Sequence, residues 1–290
     1  KACIAAGKHV FMEKPVAVDP VGVRSVIASS NLARQKNLAI VAGTQRRHQR
    51  RYLELMKRVH DGQIGEIVAA QCYWNQGDLW VIERGDMSEM EWQCRNWLYF
   101  TWLSGDHIVE QHVHNIDVIN WAMGVTAKNV MGMGGRQART QPQFGNIYDH
   151  FAVEYEYPNG VRVLSMCRQT KGASERIEER IVGTRGVAWS SGKITGAQPW
   201  SFEEKELNPY VQEHIDLIAS IRAGKPLNEG RQIAESTMCA IMGRMSAYTG
   251  RALSWEWAMN TSTLDLSPKK YEFGPSPVDP VAIPGTTPLT

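Results

Sequence analysis

The sequence is short of the features that mark several functional classes. Its five cysteines, Cys3, Cys72, Cys94, Cys167 and Cys239, are odd in number, scattered and never spaced CxxC. A zinc knuckle or a disulfide framework is therefore not expected, and reduced, mostly buried thiols are. Neither sign of charge dominates: 32 Lys and Arg against 30 Asp and Glu leave a net charge of +2, which makes no general electrostatic case for nucleic acid. No apolar run approaches the roughly 20 residues that span a bilayer. There is no internal repeat, no initiator Met and no signal peptide. Lys1–Gly7 reads as the end of a helix already under way, so the chain is expected to begin inside a domain, and its compartment, cytoplasmic or exported, stays open.

What is present points to two kinds of folding unit. His9–Met12 is a short apolar strand stopped by Glu13-Lys14-Pro15. Asp19-Pro20 caps and opens a helix running to Asn37, and Leu38–Ala42 has the continuous apolar pattern of a buried parallel strand. Short connections between them imply an α/β unit. A basic run, Arg46–Arg51, opens a helix that ends near Gly62. It suits a local anion or substrate role, or a solvated helix start, better than nucleic acid. Glu66–Trp74 alternates as a strand. Asp78–Leu103 is Trp-rich, charged and poorly periodic, and reads as a long loop or helical excursion. After residue 128 the period shifts toward two: strands are expected over 129–138, 147–157, 161–168, 177–182 and 187–190, with Pro158-Asn159-Gly160 the strongest hairpin signal. Helices are expected over Tyr210–Ala223 and Glu229–Thr249. From Leu264 six prolines and little periodicity suggest an extended tail over the surface or onto a neighbouring subunit. The fold class expected is α/β plus α+β: residues 1–46 as the remnant of a Rossmann domain, 47–263 as a domain with a large, mainly antiparallel sheet flanked by helices, and 264–290 as the tail.

The densest chemistry lies in Gly105–Trp121, GDHIVEQHVHNIDVINW. On one continuous helix His107, Glu110, His114 and Asp117 would share an arc of about 80° opposite an apolar face. Surface faces favour Lys and Glu over His, so a plainly solvated face is the weaker reading. His114 can take a proton at neutral pH. Lys14, at the end of a parallel strand where ligands bind in open α/β sheets, can stabilise a developing alkoxide and keep the imidazole neutral. Glu110 could orient the imidazole or bind a substrate hydroxyl. Arg95-Asn96-Trp97 offers a fork donor, an amide and a flat ring for a hydroxyl-rich ligand, or a packed insertion. The rival is a metal site built on His112-x-His114, but residues two apart on a helix point about 200° apart, so His112 falls in the apolar arc and no metal is assigned.

These residues resemble a known family. His9–Pro15 is similar to the EKP motif of the Gfo/Idh/MocA oxidoreductases, the glucose–fructose oxidoreductase and inositol dehydrogenase family. Gly43–Arg47 resembles its strand-to-arginine segment, Gly62-Gln63-Ile64-Gly65 its helix stop before the large sheet, Glu110-x-x-x-His114-x-x-Asp117 its D-x-x-x-H-x-x-D helix, and Ser246–Arg251 followed by Trp255 its ending. The resemblance implies an NAD(P)-dependent oxidoreductase acting on a sugar, cyclitol or glycoside. Lys14, His114 and Glu110 would be catalytic; Glu13, Lys14, Pro15, Gln45 and Arg46 would contact NAD or NADP; His107, Asp117, Arg95, Asn96 and Trp97 would meet the substrate. It further implies a homodimer or homotetramer paired through the open sheet face. Three departures stand out: Glu110 for the usual aspartate, His112 for the usual glycine, and no GxGxxG turn or ribose-reading acid before the EKP motif. The last implies poor cofactor binding by this chain alone. Two alternatives stay open: an NAD-dependent glycosidase or lyase working by transient oxidation and elimination, and a non-catalytic module that oligomerises through its sheet.

Overall fold

A computed structural model describes all 290 residues. The first unit follows from its local signals. After a short turn of helix, α1 (Ala2–Ala5), strands β1 (Val10–Met12) and β2 (Ile40–Ala42) pair in parallel, with Val10 opposite Ile40. Between them runs α2 (Pro20–Gln35), where the Asp19 carboxylate accepts a hydrogen bond from Gly22 N at 2.6 Å and Pro20 fills the first turn. All three residues of β2 are buried, as its continuous apolar run requires. A 3₁₀ turn, Gln45–His48, and helix α3 (Arg50–His60) lead away from it.

The second unit is one nine-stranded sheet. Its strands are β3 (Ile67–Gln76), β4 (Asn129–Gly135), β5 (His150–Glu156), β6 (Arg162–Gln169), β7 (Arg176–Gly183), β8 (Gly186–Trp189), β9 (Lys193–Gly196), β10 (Trp200–Ser201) and β11 (Leu253–Ser254). Their spatial order is β10-β9-β8-β7-β3-β6-β5-β4-β11. Every neighbouring pair is antiparallel except β3 with β6, because β3 inserts between two strands that follow each other in the chain. The hairpin expected at Pro158-Asn159-Gly160 joins β5 to β6, with Gly160 at φ +81°, where a side chain would be strained.

Alternation gives the sheet two unlike faces. Ala70, Cys72, Val153, Tyr155, Val163 and Ile181 are buried on one. Four helices pass before or over it: α4 (Glu89–Arg95), α5 (Thr101–Ser104), α6 (His107–Glu110) and α7 (Val113–Met123). They are joined from the C-terminal half by α8 (Pro209–Arg222), α9 (Gly230–Thr249) and α10 (Trp255–Asn260). The long helix α9 is buried almost throughout and packs on α2 as well as on β4. It approaches β4 so closely that a Cβ on Gly132 would lie 2.8 Å from the carbonyl oxygen of Gly243. The other face carries Met131, Met133, Leu164 and Met166 in the open.

Asp78–Leu103 folds as a helical excursion with its own aromatic core of Trp92, Leu98, Tyr99 and Phe100, joined by Ile147. Residues 264–290 form no regular element, and they wrap this chain itself: Met90 N donates to Gly274 O, and the Tyr148 hydroxyl donates to Ala282 O. No helix is long and apolar enough to cross a membrane.

Candidate active site

The site lies in the seam between the two units. β1 ends at Met12, and Glu13, Lys14 and Pro15 follow with a bend at Lys14 and a cis bond before Pro15. Gly43, at the end of β2, leaves room for Glu13; a Cβ there would collide with its carboxylate. Lys14 reaches across the seam. Its Nζ donates to the carbonyl oxygen of Glu110 at 2.5 Å and to Oε1 of Gln111 at 3.3 Å, with Oε1 of Glu110 at 3.5 Å.

That carbonyl is available because the helix breaks. Gln111 N and His112 N both donate to His107 O, and His114 N donates to Gln111 O instead of Glu110 O. The interruption separates α6 from α7 and corrects the expectation of one continuous helix over Gly105–Trp121. Its physical reason is the His112 ring, which is fully buried against the sheet, Nε2 lying 2.7 Å from Ser165 Oγ and 3.7 Å from Cys72 Sγ. Burial pulls the His112 pKa down to about 3.

His114 opens α7. Its ring stacks on Trp74 at 5.8 Å between centroids, and its Nδ1 is buried without a hydrogen-bond partner. Burial, reinforced by the cations of Arg46 and Lys14, holds its pKa well below the ordinary 6.5. The imidazole is therefore neutral through the physiological range, with a lone pair free to accept a proton. Burial raises the Glu110 carboxyl against the opposing pull of Lys14, and its Oε2 is also unpartnered. Gln111 and Trp74 escaped sequence reasoning. On a continuous helix Gln111 would point about 100° away from Glu110, and Trp74 is simply the last buried residue of a strand. No group of three or more His, Cys, Asp or Glu side chains is arranged to hold a metal ion.

Several residues expected in the site lie elsewhere. Asp117 is 2% exposed and forms a two-pronged ion pair with Arg47, Nε to Oδ2 at 2.8 Å and Nη2 to Oδ1 at 2.9 Å, while the Ser236 hydroxyl donates to Oδ1. Both carboxylate oxygens are engaged, Oδ1 twice, and the buried group is held by protein partners. His107 donates Nε2–H to Trp74 O and is buried, its pKa drawn down to about 3 by burial. Arg95, Asn96 and Trp97 belong to the aromatic excursion. Arg95 is exposed and pairs with Glu91, the Asn96 amide spans Ile82 N and Gln143 O, and the Trp97 ring lies 6.1 Å from that of Trp80. Arg46 pairs with Glu179 while its guanidinium lies over Tyr52 and Trp74, so it is not free to meet a cofactor. Arg46 and Arg47 instead fasten the first unit to β7 and α7, and thereby set Lys14 against His114.

The end of β2 keeps two groups in reserve. Thr44 Oγ1 and Gln45 Oε1 are buried and unpartnered just past the end of β2, while Gln45 Nε2 donates to the Tyr210 hydroxyl. Polar atoms at the carboxyl ends of parallel strands suit the ribose and amide end of a nicotinamide nucleotide. The chain carries no glycine-rich turn for its pyrophosphate.

The class of protein is thus an α/β unit that passes a lysine into the broken helix of a large, open-faced α+β sheet domain. Residues 52–189 match the GFO/IDH/MocA C-terminal domain. The chain is 25% identical to the inositol 2-dehydrogenase of Pseudomonas fluorescens (strain SBW25) over 234 residues, 77% of this chain and 63% of that protein. It is 26% identical to the 2,7-anhydro-N-acetylneuraminate hydratase of Escherichia coli (strain K12) over 153 residues, 53% of this chain and 37% of the hydratase. The crystal structure of GenD2 from gentamicin A biosynthesis, in complex with NAD, superposes with a TM-score of 0.66 at 14% identity, over 87% of this chain and 73% of that one. The chain spans about 63% of the length of the inositol dehydrogenases it matches.

Proposed function

We propose that this chain is the substrate-binding part of an NAD(P)-dependent oxidoreductase acting at a hydroxyl-bearing carbon of a sugar, cyclitol or glycoside. One observation carries the reading: a lysine from one unit binds the helix break of the other, where its charge acts on a buried, neutral imidazole whose Nδ1 has no partner. His114 takes the hydroxyl proton as the carbon is oxidised. Lys14 donates a hydrogen bond to the same oxygen and stabilises its developing negative charge. Glu110 and Gln111 hold the ammonium in place and set its reach. Glu13, Lys14, Pro15, Thr44 and Gln45 would hold the nicotinamide end of the cofactor, and β1 with β2 is read as part of its dinucleotide fold. When bound, that group supplies the hydride acceptor. The catalytic unit is read as a homodimer or homotetramer paired through the open sheet face.

The test is NADH or NADPH formation by the complete gene product across a panel of cyclitols, aldoses and glycosides. His114→Asn should lower kcat by about 10²–10⁴-fold, the usual weight of a general base, with an unchanged melting temperature. Turnover that survives this substitution would refute the assignment. The hydratase relative favours a second reading, in which oxidation is transient and elimination follows. Product formation with no net NADH or NADPH, still dependent on added cofactor and on His114, selects it.

A further inference from the structure

A sizeable cavity lies away from this site. It measures about 540 Å³ and lies between α9 and the C-terminal tail, partly open to solvent. Phe100, Trp102, Met245, Leu266 and Val281 make most of its wall apolar, and neither Lys14, Glu110 nor His114 reaches it. One wall group does not belong in such a setting. Arg244, on α9, is 1% exposed, yet its guanidinium has no carboxylate partner. It donates once, from Nη1 to Gly105 O at 3.0 Å, and lies 5.9 Å from the centroid of the Tyr248 ring.

The two acids whose charges act on it are engaged elsewhere, and Asp279 of the tail, which also lines the cavity, forms no ion pair with it. Asp106 accepts from the Tyr248 hydroxyl, Tyr148 N and His107 N, and Asp19 accepts from Gly22 N and Leu266 N. Burial accordingly depresses the Arg244 pKa, with Tyr248, Asp106 and Asp19 only partly opposing it. A buried, unpaired guanidinium is costly unless an anion meets it, and a forked donor matches a carboxylate. The volume is that of a small-molecule site lined by apolar groups with a few convergent polar ones.

We propose that this cavity binds a small organic carboxylate with a flat apolar body, its carboxylate on Arg244 and its body against Phe100, Trp102 and Met245. The site stands apart from the proposed reaction and does not depend on it. Because Arg244 also holds the carbonyl of Gly105, which leads into α6, an occupant would steady the segment whose far end binds Lys14.

The test is calorimetric titration of the ligand-free protein with benzoate, 2-naphthoate, their neutral amides and inorganic phosphate. At least one of the two carboxylates should bind saturably and raise the melting temperature. Its amide should bind about tenfold or more weakly, the weight of a charge-assisted hydrogen bond. Arg244→Met should abolish carboxylate binding, and so should Val281→Trp, which fills the cavity from the tail and leaves α9 intact. Equal affinity for acid and amide, binding retained in both variants, binding of phosphate alone, or no saturable binding of any probe would each overturn the proposal.

Discussion

Replacing Asp117 by Ala separates the two roles this residue could hold. As a substrate ligand, its loss would leave folding alone and raise KM. As the structure places it, its loss removes two charge-assisted hydrogen bonds at 2.8 and 2.9 Å and strands a guanidinium whose side chain is 12% exposed, stacked 4.5 Å from the Trp121 ring centroid. Breaking a buried pair from one side costs about 3–5 kcal/mol, against a total stability of roughly 5–15 kcal/mol for a native protein. Urea denaturation followed by far-ultraviolet circular dichroism should show a much lower midpoint at unchanged slope. The double variant Arg47→Met with Asp117→Leu removes both charges, leaves apolar groups of similar size, and should recover more than half of the loss. A wild-type midpoint for Asp117→Ala combined with a raised KM would refute the structural role and restore the substrate one.

Two further outcomes follow from the same seam and from the sheet. His48 donates Nδ1–H to Asp216 at 2.7 Å, and its Nε2 lies 3.0 Å from Glu229 Oε1, off the hydrogen-bonding line. Burial lowers its pKa, but Glu229 and Asp216 outweigh that and raise it from 6.5 to about 8. The stabilisation is complete below about pH 6.5 and lost as pH rises through about 8, roughly 2 kcal/mol in all. Glu213, pushed up to about 7 by burial, loses its share earlier, between about pH 4.5 and 7. Above about pH 7, where Glu213 has finished titrating, the difference between wild type and His48→Gln in unfolding free energy should fall as pH rises to about 9, and a flat difference would contradict the pairing. On the open face, Met133, Ala152, Met166 and Tyr73 form one row across β4, β5, β6 and β3. Met166→Asp should convert the protein to a monomer by light scattering while its far-ultraviolet circular dichroism stays native; an unchanged mass would exclude this face as the subunit contact.

The sheet was legible because alternation is a local property: Val153, Tyr155, Val163 and Cys167 mark its buried side in sequence as they do in the fold. The hairpin at Asn159-Gly160 was legible for the same reason. On α9, Gly243 meets Tyr155 closely enough that a Cβ would be 2.5 Å from its hydroxyl. The pairing of Lys14 with Glu110 follows the family resemblance, because no local pattern links residues 96 positions apart. Periodicity failed at Gln111–His112. Apolar residues on both sides of the break keep helical spacing, and only the burial of the His112 ring under the sheet shows that the two halves are out of phase. That single shift sends Asp117 to Arg47, leaves His107 on Trp74 O, and brings in Gln111.

The interrupted helix has a consequence for how the site tolerates change. The strongest contact of Lys14 is to a main-chain oxygen, which no side-chain replacement at position 110 removes. Glutamate and aspartate there are therefore exchangeable as far as the lysine's placement is concerned, and scanning position 110 alone would understate how firmly that placement is held. What fixes it is the histidine two residues further on, facing the opposite way, whose ring keeps the chain from closing the turn.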